Sequence, residues 1–282
     1  MRLITLLIVC CVLSGCAGNG YKKFYTARVD LATEVGKHKN VRIEVLQLNQ
    51  EPQIIETNDL DREYQNYAAK HYTIVGYSSF NGEYEDKQNA IKQAKRIGAT
   101  LVLVKSEYTN TQTSTTALQL PNTQTNYHSG SVYGSGGFAN YSGTTTTSGT
   151  TSIPITTHQR RFDQEAWFLV KVSPTDPPKF GFLPRDLSSD ERVEIERNTG
   201  IFVETVYEDT PMFYANALRG DIVIAINGIQ IKNNAHASQL IGWDKKEGKY
   251  KSGVLGKSTT LTILRNGVQK DIVVQHDTPN DK

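Results

Sequence analysis

The spacing of apolar residues predicts the first elements of this 282-residue chain. Residues 41–48 alternate apolar with polar positions, which is typical of a strand that buries one face. Residues 60–68 then carry apolar side chains at helical spacing. A half-buried strand and an amphipathic helix are therefore expected before residue 70.

A strand, a helix and a second strand are predicted between residues 72 and 104. Residues 72–77 are rich in β-forming side chains, and residues 101–104 form an uninterrupted apolar run. Between them, apolar residues from Ala90 to Ile97 share one face of a helix that Gly98 can end. This order predicts a right-handed βαβ unit with parallel strands, to which residues 166–170 can add a third strand.

The stretch from Tyr108 to Gln159 contains no Asp, Glu, Lys or Arg. Its low hydrophobicity argues against a packed core, so we expect a mobile excursion from a β-hairpin with frayed strands at its base. It is either a tolerated surface insertion or a contact surface, and a phase-separating or β-aggregating role is a third alternative. The contact surface would use four aromatic side chains, those of Tyr127, Tyr133, Phe138 and Tyr141.

A proline-rich connector is expected at residues 173–178, because proline fixes φ and disfavours helix before it. It would separate an α/β domain at residues 41–172, with its insertion at 108–159, from a compact module at 179–276. The module contains β-rich runs divided by turn signals such as Asn227-Gly228. The expected fold class of the chain as a whole is α+β.

The first sixteen residues have the layout of a bacterial lipoprotein signal. Arg2 precedes a short apolar run, and Leu13-Ser14-Gly15-Cys16 resembles the lipobox at which cleavage exposes an acylated, palmitate-bearing cysteine. We therefore expect a signal peptide at 1–15, a lipid anchor at Cys16 and a flexible tether at 16–40. The alternative is an ordinary signal peptide. Ala17 follows the cysteine at the position where an aspartate would resemble an inner-membrane retention signal, so the resemblance favours the outer membrane of the cell envelope.

Composition limits the chemistry available to the mature chain. Cys10 and Cys11 would be removed with the signal, so disulfides, cysteine nucleophiles and cysteine metal sites are not expected. The net charge of +2 and the absence of a basic cluster argue against nucleic acid as a partner. The histidines are scattered, so we predict no metal site and no cofactor. Ser135 lies in a Gly-Ser-Gly-Gly sequence that composition alone explains, and no enzyme activity is expected.

The C-terminal module resembles a PDZ domain of the kind attached to HtrA-type periplasmic proteases. The resemblance rests on residues 180–183, residues 200–206, Pro211 and the run from Gly220 to Gly228, and on the paired strands that end the module. It covers about a third of the chain and does not include a protease domain. It implies a β-barrel or sandwich with two helices that binds an extended peptide beside an exposed strand.

The resemblance also implies where the peptide lies. Phe180, Gly181 and Phe182 match the family's carboxylate-binding turn, and Leu183 continues into the strand beside the peptide. A helix near residues 234–241 forms the opposite wall, with His236 at its start and Leu240 lining the pocket. A solvent-facing His236 without a ligand is the alternative. Pro184 departs from expectation, because it has no N–H to donate to a peptide.

These observations predict a non-catalytic, lipid-anchored envelope protein that binds peptides or proteins through a PDZ-like groove. Its expected partners are envelope polypeptides with accessible C-termini or strand edges, and the membrane through the anchor. The alternative is a structural or surface-assembly protein, in which the uncharged tract makes the contacts and the PDZ-like fold only packs.

Overall fold

The computed structural model describes residues 18–37, 40–175, 179–244, 249–250 and 256–276. The expected signal peptide, Cys16 and connector residues 176–178 lie outside the described residues. In the part of the chain that is described, no helix is long and apolar enough to cross a membrane. The fold is mixed α+β and mostly sheet, as the sequence predicts.

The N-terminal part of the chain forms short helices around one sheet. Its elements are α1 (Gly20–Lys23), β1 (Tyr25–Ala27), α2 (Leu31–Glu34), β2 (Val41–Glu44), β3 (Gln53–Glu56), α3 (Leu60–Ala68), β4 (Tyr72–Gly82), α4 (Lys87–Ile97), β5 (Leu101–Gly134) and β6 (Gly137–Pro174). The sheet is open, with the order β1-β4-β6-β5-β3, and β2 also pairs with β6.

The βαβ unit is present but split, because β6 lies between β4 and β5. His71 pairs with Val172, and Asn81 with Arg161, so β4 runs antiparallel to β6. The hairpin makes β5 antiparallel to β6 as well, and β4 and β5 therefore run parallel without touching. The two strands are parallel, as the sequence predicts, but β6 occupies the space between them.

The uninterrupted apolar run at residues 101–104 is explained by burial on both faces of the sheet. Val102 packs in a cluster with Ala90 and Ala94 of α4. Leu101 and Leu103 pack on the opposite face in a cluster with Leu60 of α3. A strand covered on both sides gains from apolar residues at every position, which removes the alternation seen in half-buried strands.

The expected tether at residues 16–40 is largely folded. Tyr21 is fully buried in the α4-facing core, and β1 pairs with β4. The N–H of Gly20 donates to the Glu85 carboxylate at 2.7 and 2.8 Å. The prediction of a flexible tether is wrong over this part, because burial of Tyr21 and strand pairing hold the segment on the domain.

The uncharged tract belongs to a second compact unit, the ribbon unit, which comprises residues 81–84 and 108–162. Here β5 and β6 continue as paired strands up to a two-residue turn at Ser135 and Gly136. The hairpin is present, and its strands are continuous where frayed strands were expected at the base. Threonine is β-branched and favours strands, so a tract of low hydrophobicity can still form them.

The C-terminal part begins after the expected connector, of which Ser173 and Pro174 instead extend β6 and pair with β2. Its elements are β7 (Phe182–Asp186), α5 (Ser189–Glu194), β8 (Ile201–Val206), α6 (Pro211–Tyr214), β9 (Ile222–Ile226), β10 (Ile229–Gln230), α7 (Asn234–Leu240), β11 (Trp243–Asp244), β12 (Lys249–Tyr250), β13 (Ser258–Arg265) and β14 (Val268–Gln275). The main sheet is open, with the order β14-β13-β9-β8-β7, and β10 pairs with β9.

A buried ion pair anchors the Gly220-Asp221 motif of this sheet. The Asp221 side chain is 1% exposed, and its two oxygens lie 2.6 Å from Nε and from Nη2 of Arg265. It also accepts a hydrogen bond from the N–H of Leu218 at 2.8 Å. The aspartate therefore joins the turn before β9 to the end of β13.

Two regions of the same compact unit meet at His71. Its ring stacks on that of Tyr207, with 4.3 Å between the centroids, and the N–H of Glu208 donates to the carbonyl of Ala69 at 2.9 Å. Burial lowers the pKa of His71 below its ordinary value, and the positive charge of Lys171 lowers it further. The contact therefore favours the neutral imidazole.

Candidate functional site

The candidate site lies along β7, which is the last strand of its sheet. β7 pairs with β8 on one side, and among the described residues no second strand pairs with it. An edge strand of this kind presents backbone N–H and C=O groups to which another chain can add. The turn at Phe180 and Gly181 leads directly into this edge.

Interior hydrogen bonds determine where the N–H groups of this turn point. The carbonyl of Phe180 accepts from Met212 N–H at 2.8 Å, and that of Gly181 accepts from Tyr207 N–H at 2.9 Å. In a trans peptide the C=O and the following N–H point in opposite directions. The N–H groups of Gly181 and Phe182 are therefore directed away from the loop that contains residues 207–212.

Gly181 is required by both its backbone angle and its surroundings. Its φ of +81° lies in the left-handed region. A Cβ at this position would lie 2.1 Å from the Cβ of Thr210. The hydroxyl oxygen of Thr210 lies within hydrogen-bond distance of two carbonyl oxygens, which are those of Tyr207 at 2.7 Å and Gly181 at 3.2 Å. The hydroxyl can donate its hydrogen to either. Thr210 thus supports the turn from beneath, and only glycine fits above it.

The strand after the turn alternates between its two edges. The N–H of Phe182 points away from β8, and in an extended residue the C=O points the same way. The backbone N–H and C=O of Leu183 then face β8, where Leu183 pairs with Thr205. The side chain of Leu183 is 44% exposed. The structure therefore does not bring the backbone of Leu183 to the free edge.

Pro184 interrupts the free edge two residues after Phe182. Its nitrogen follows the β8-directed carbonyl of Leu183, so it faces the free edge without a hydrogen to donate. A bulge between Leu183 and Pro184 also shifts the pairing with β8. An added strand would therefore find donors at Gly181 and Phe182 but none at residue 184.

Helix α7 lies beside this edge and is tied to the end of β7. The Asp186 carboxylate accepts from Asn234 N–H at 2.7 Å, and the Asn233 side chain caps the helix by accepting from His236 N–H at 2.9 Å. At the other end, Leu240 and Phe182 are half-buried against one core cluster that includes Phe180. The helix therefore lies beside the strand, with apolar side chains of both packed on the same core cluster.

His236 lies one helical turn before Leu240, so both residues occupy the same side of α7. Nδ1 of His236 accepts from Lys232 N–H at 3.2 Å. A neutral ring bonded in this way carries its proton on Nε2, which is then a donor. The structure therefore places the two helix residues named from the sequence along one wall.

Arg185 holds the outer side of β7 in place. Its guanidinium forms a double hydrogen bond with the Glu191 carboxylate, at 2.5 and 2.7 Å, and stacks 4.0 Å from the centroid of the Phe202 ring. The hydrogen bond from Arg185 lowers the pKa of Glu191 to about 2. Glu191 also completes a capping box with Ser188 at the start of α5.

Several residues of the site escaped the sequence analysis. Asp186 and Thr210 carry no local motif for their roles, because each acts on a segment that is distant in sequence. Helix α5 was also missed, since only two helices were expected in this region. Its signal was present as the Ser188-x-x-Glu191 pattern of a capping box.

The residues considered for catalysis are placed elsewhere. Ser135 lies in the turn at the tip of the β5–β6 hairpin. Among the described residues, no group of three or more His, Cys, Asp or Glu side chains is arranged to hold a metal ion.

Comparisons with known proteins give partial likenesses. No family model and no curated protein matches the chain. Two solved structures of the HtrA-type protease AlgW with decapeptide, one of a serine-to-alanine variant, have 18% and 16% sequence identity and TM-scores of 0.28 and 0.27. They cover 36% and 39% of this chain and 30% and 36% of their own, so the chain spans about a third of those proteins.

A PDZ domain protein from Parabacteroides distasonis matches with 9% identity and a TM-score of 0.19, over 83% of this chain and 69% of its own. TM-scores of this size carry no argument about function. A proposal about the function of this chain therefore rests on the geometry of its own turn, of β7 and of α7.

Proposed function

We propose that this chain binds the C-terminal residues of other polypeptides in the groove between β7 and α7, without catalysing a reaction. The observation that carries the proposal is the orientation of two N–H groups. Those of Gly181 and Phe182 are directed away from the loop because the carbonyls before them are bonded inside. Successive N–H groups in a turn form a concave site for a carboxylate.

The rest of the groove supports a short ligand. Leu240 and Phe182 offer apolar surface for the terminal side chain, and Nε2 of His236 offers a donor further along the helix. Pro184 removes the donor that a longer ladder would need. The proposed ligand is therefore recognised through its last two or three residues, with its carboxylate in the turn.

We propose further that Cys16 carries a lipid that holds the chain at an envelope membrane. The folded part begins at Gly20, so the three residues between it and Cys16 reach about 14 Å when extended. This is shorter than the reach of a flexible tether of 25 residues, roughly 25 to 30 Å. A chain held at a membrane in this way meets neighbouring C-termini at high effective concentration, which offsets weak binding.

The proposal is tested with the full-length protein and a library of peptides that vary in their last four residues and have free C-termini. The best binder is then titrated against two variants. Leu240→Glu places a negative charge in the proposed pocket and should weaken binding about tenfold or more. Gln239→Glu adds the same charge at an exposed neighbouring position and should leave binding unchanged. Equal affinities of the two variants would overturn the assignment of the groove.

A further inference from the structure

The ribbon unit has a fixed cross-strand register. Hydrogen bonds join the side chains of Thr115 and Thr156 at 3.1 Å, and those of Ser131 and Asn140 at 2.8 Å. The pairing is constant along the hairpin, because the residue numbers of each pair have the same sum. Since side chains alternate between faces, odd residues of β5 share one face with even residues of β6. This face, the polar face, carries a ladder of hydroxyl and amide groups.

The opposite face carries a patch of aliphatic side chains. Leu118 lies directly across from Ile153 in this register, and Leu120 and Ile155 flank them on the same face. The four side chains are between 40% and 46% exposed. We call them the aliphatic patch. They are surrounded by uncharged residues, because residues 108–159 contain no ionisable Asp, Glu, Lys or Arg side chain.

The ribbon lacks a core of its own. Every residue of β5 from Ser106 to His128 is exposed, and so is every residue of β6 from Gly137 to His158. Isolated two-stranded hairpins are only marginally stable in water, and a stable sheet needs a covered apolar face. The aliphatic patch is apolar surface of this kind, and on the opposite face Tyr127, Tyr133 and Phe138 are exposed as well.

The edges of the ribbon are less suited to a partner than this face. β5 contains Pro121 and β6 contains Pro154, and each removes a donor from the strand that carries it. Proline at an edge is a common means by which proteins limit strand addition. Along the patch face no proline, charge or bulky polar side chain lies between the four aliphatic residues.

We propose that the aliphatic patch is covered by the same patch of a second copy of this chain, with the two ribbons packed face to face. The patch is complementary to itself, and the absence of charge removes the repulsion that would otherwise oppose self-association. The face from residue 108 to 134 measures about 90 by 10 Å from strand rise and spacing. The whole face, of which the patch is the apolar part, is about 900 Å² per copy when the two ribbons overlap along their length, close to the roughly 800 Å² per partner of a standard interface.

The test is the mass of the full-length protein by sedimentation equilibrium over a wide concentration range. We expect a dimer whose Kd rises about tenfold or more in the double variant Leu118→Thr with Ile153→Thr. Threonine matches the neighbouring residues and keeps β propensity, so far-UV circular dichroism should not change. The control is Tyr127→Thr, which removes an apolar side chain from the polar face and should leave the dimer intact.

A cross-link locates the contact independently of stability. Thr116→Cys places a thiol beside the patch, and Thr115→Cys places one on the polar face. Under oxidation the first should form a disulfide between copies well above the background of the parent chain, and the second should not. A monomer at all concentrations would overturn the proposal, as would a dimer that survives the double variant. A monomer that binds phosphatidylcholine vesicles through the patch would overturn it in favour of a lipid occupant.

Discussion

Replacing Gly181 by alanine should destabilise the C-terminal region more than its backbone angle alone explains. The left-handed conformation costs an L-residue roughly 1–2 kcal/mol. The new Cβ would also lie 2.1 Å from the Cβ of Thr210. This distance is too short for two carbon atoms that are not bonded, so the backbone would have to shift. Overpacking of this kind costs about 1–3 kcal/mol, so we expect a total of about 2–5 kcal/mol.

Gly228 provides a matched control. Its φ of +79° is almost that of Gly181, but a Cβ there would have no atom within 4 Å. Gly228→Ala should therefore cost only the roughly 1–2 kcal/mol of the left-handed angle. The difference between the two variants isolates the contact with Thr210.

The assay is urea-induced unfolding of the full-length protein, followed by the fluorescence of Trp243 in a Trp167→Phe background. The free energies of unfolding of the two glycine variants are compared in that background. If Gly181→Ala costs no more than Gly228→Ala, the turn does not rest on Thr210 and the orientation of its N–H groups is wrong.

Two further predictions concern stability. Asp221→Asn should lower the free energy of unfolding by about 3 kcal/mol, which is the lower end for a broken buried ion pair because Arg265 is partly exposed. The control is Asp271→Asn at an exposed position, which should change the free energy of unfolding by under about 0.5 kcal/mol. Equal effects would refute the role of the ion pair. The lowered pKa of His71 means that the unfolded chain binds its proton more readily, so stability should be complete above the ordinary value of about 6.5 and fall below it. His71→Phe should flatten the urea midpoint between about pH 7 and pH 5, and an unchanged slope would contradict this reasoning.

The parts of the fold that follow from local spacing could be predicted from the sequence. Helix α4 has apolar residues on one face and ends at Gly98, whose φ is +78°. The Asn227-Gly228 turn adopts the left-handed angles expected of it, +50° and +79°. In both cases the information lies within a few neighbouring residues.

The order of strands could not be predicted in the same way. β6 lies between β4 and β5 because residues about 70 to 100 positions apart pair there, and no local sequence pattern predicts that pairing. Tyr21 was missed for a similar reason, since α1 and β1 are too short to show a periodicity. The strands of the ribbon do not follow from hydrophobicity, because they depend on the β propensity of threonine.

The candidate site likewise contains residues that local sequence indicates and residues that it does not. The Phe-Gly-Phe turn and the positions of His236 and Leu240 could be named from the chain alone. Their supports could not, because Thr210 acts across 29 residues and Asp186 across 48. The edge position of β7 is likewise a property of the assembled sheet.

The central claim is that the turn at Gly181 and Phe182 receives a terminal carboxylate. It is tested most directly by titrating the full-length protein with the best library peptide in two forms, one with a free C-terminus and one with an amide. Hydrogen bonds to a charged group contribute about 1.5–3 kcal/mol, so the amide should bind roughly tenfold to a hundredfold more weakly. Equal binding of the two forms would contradict the account.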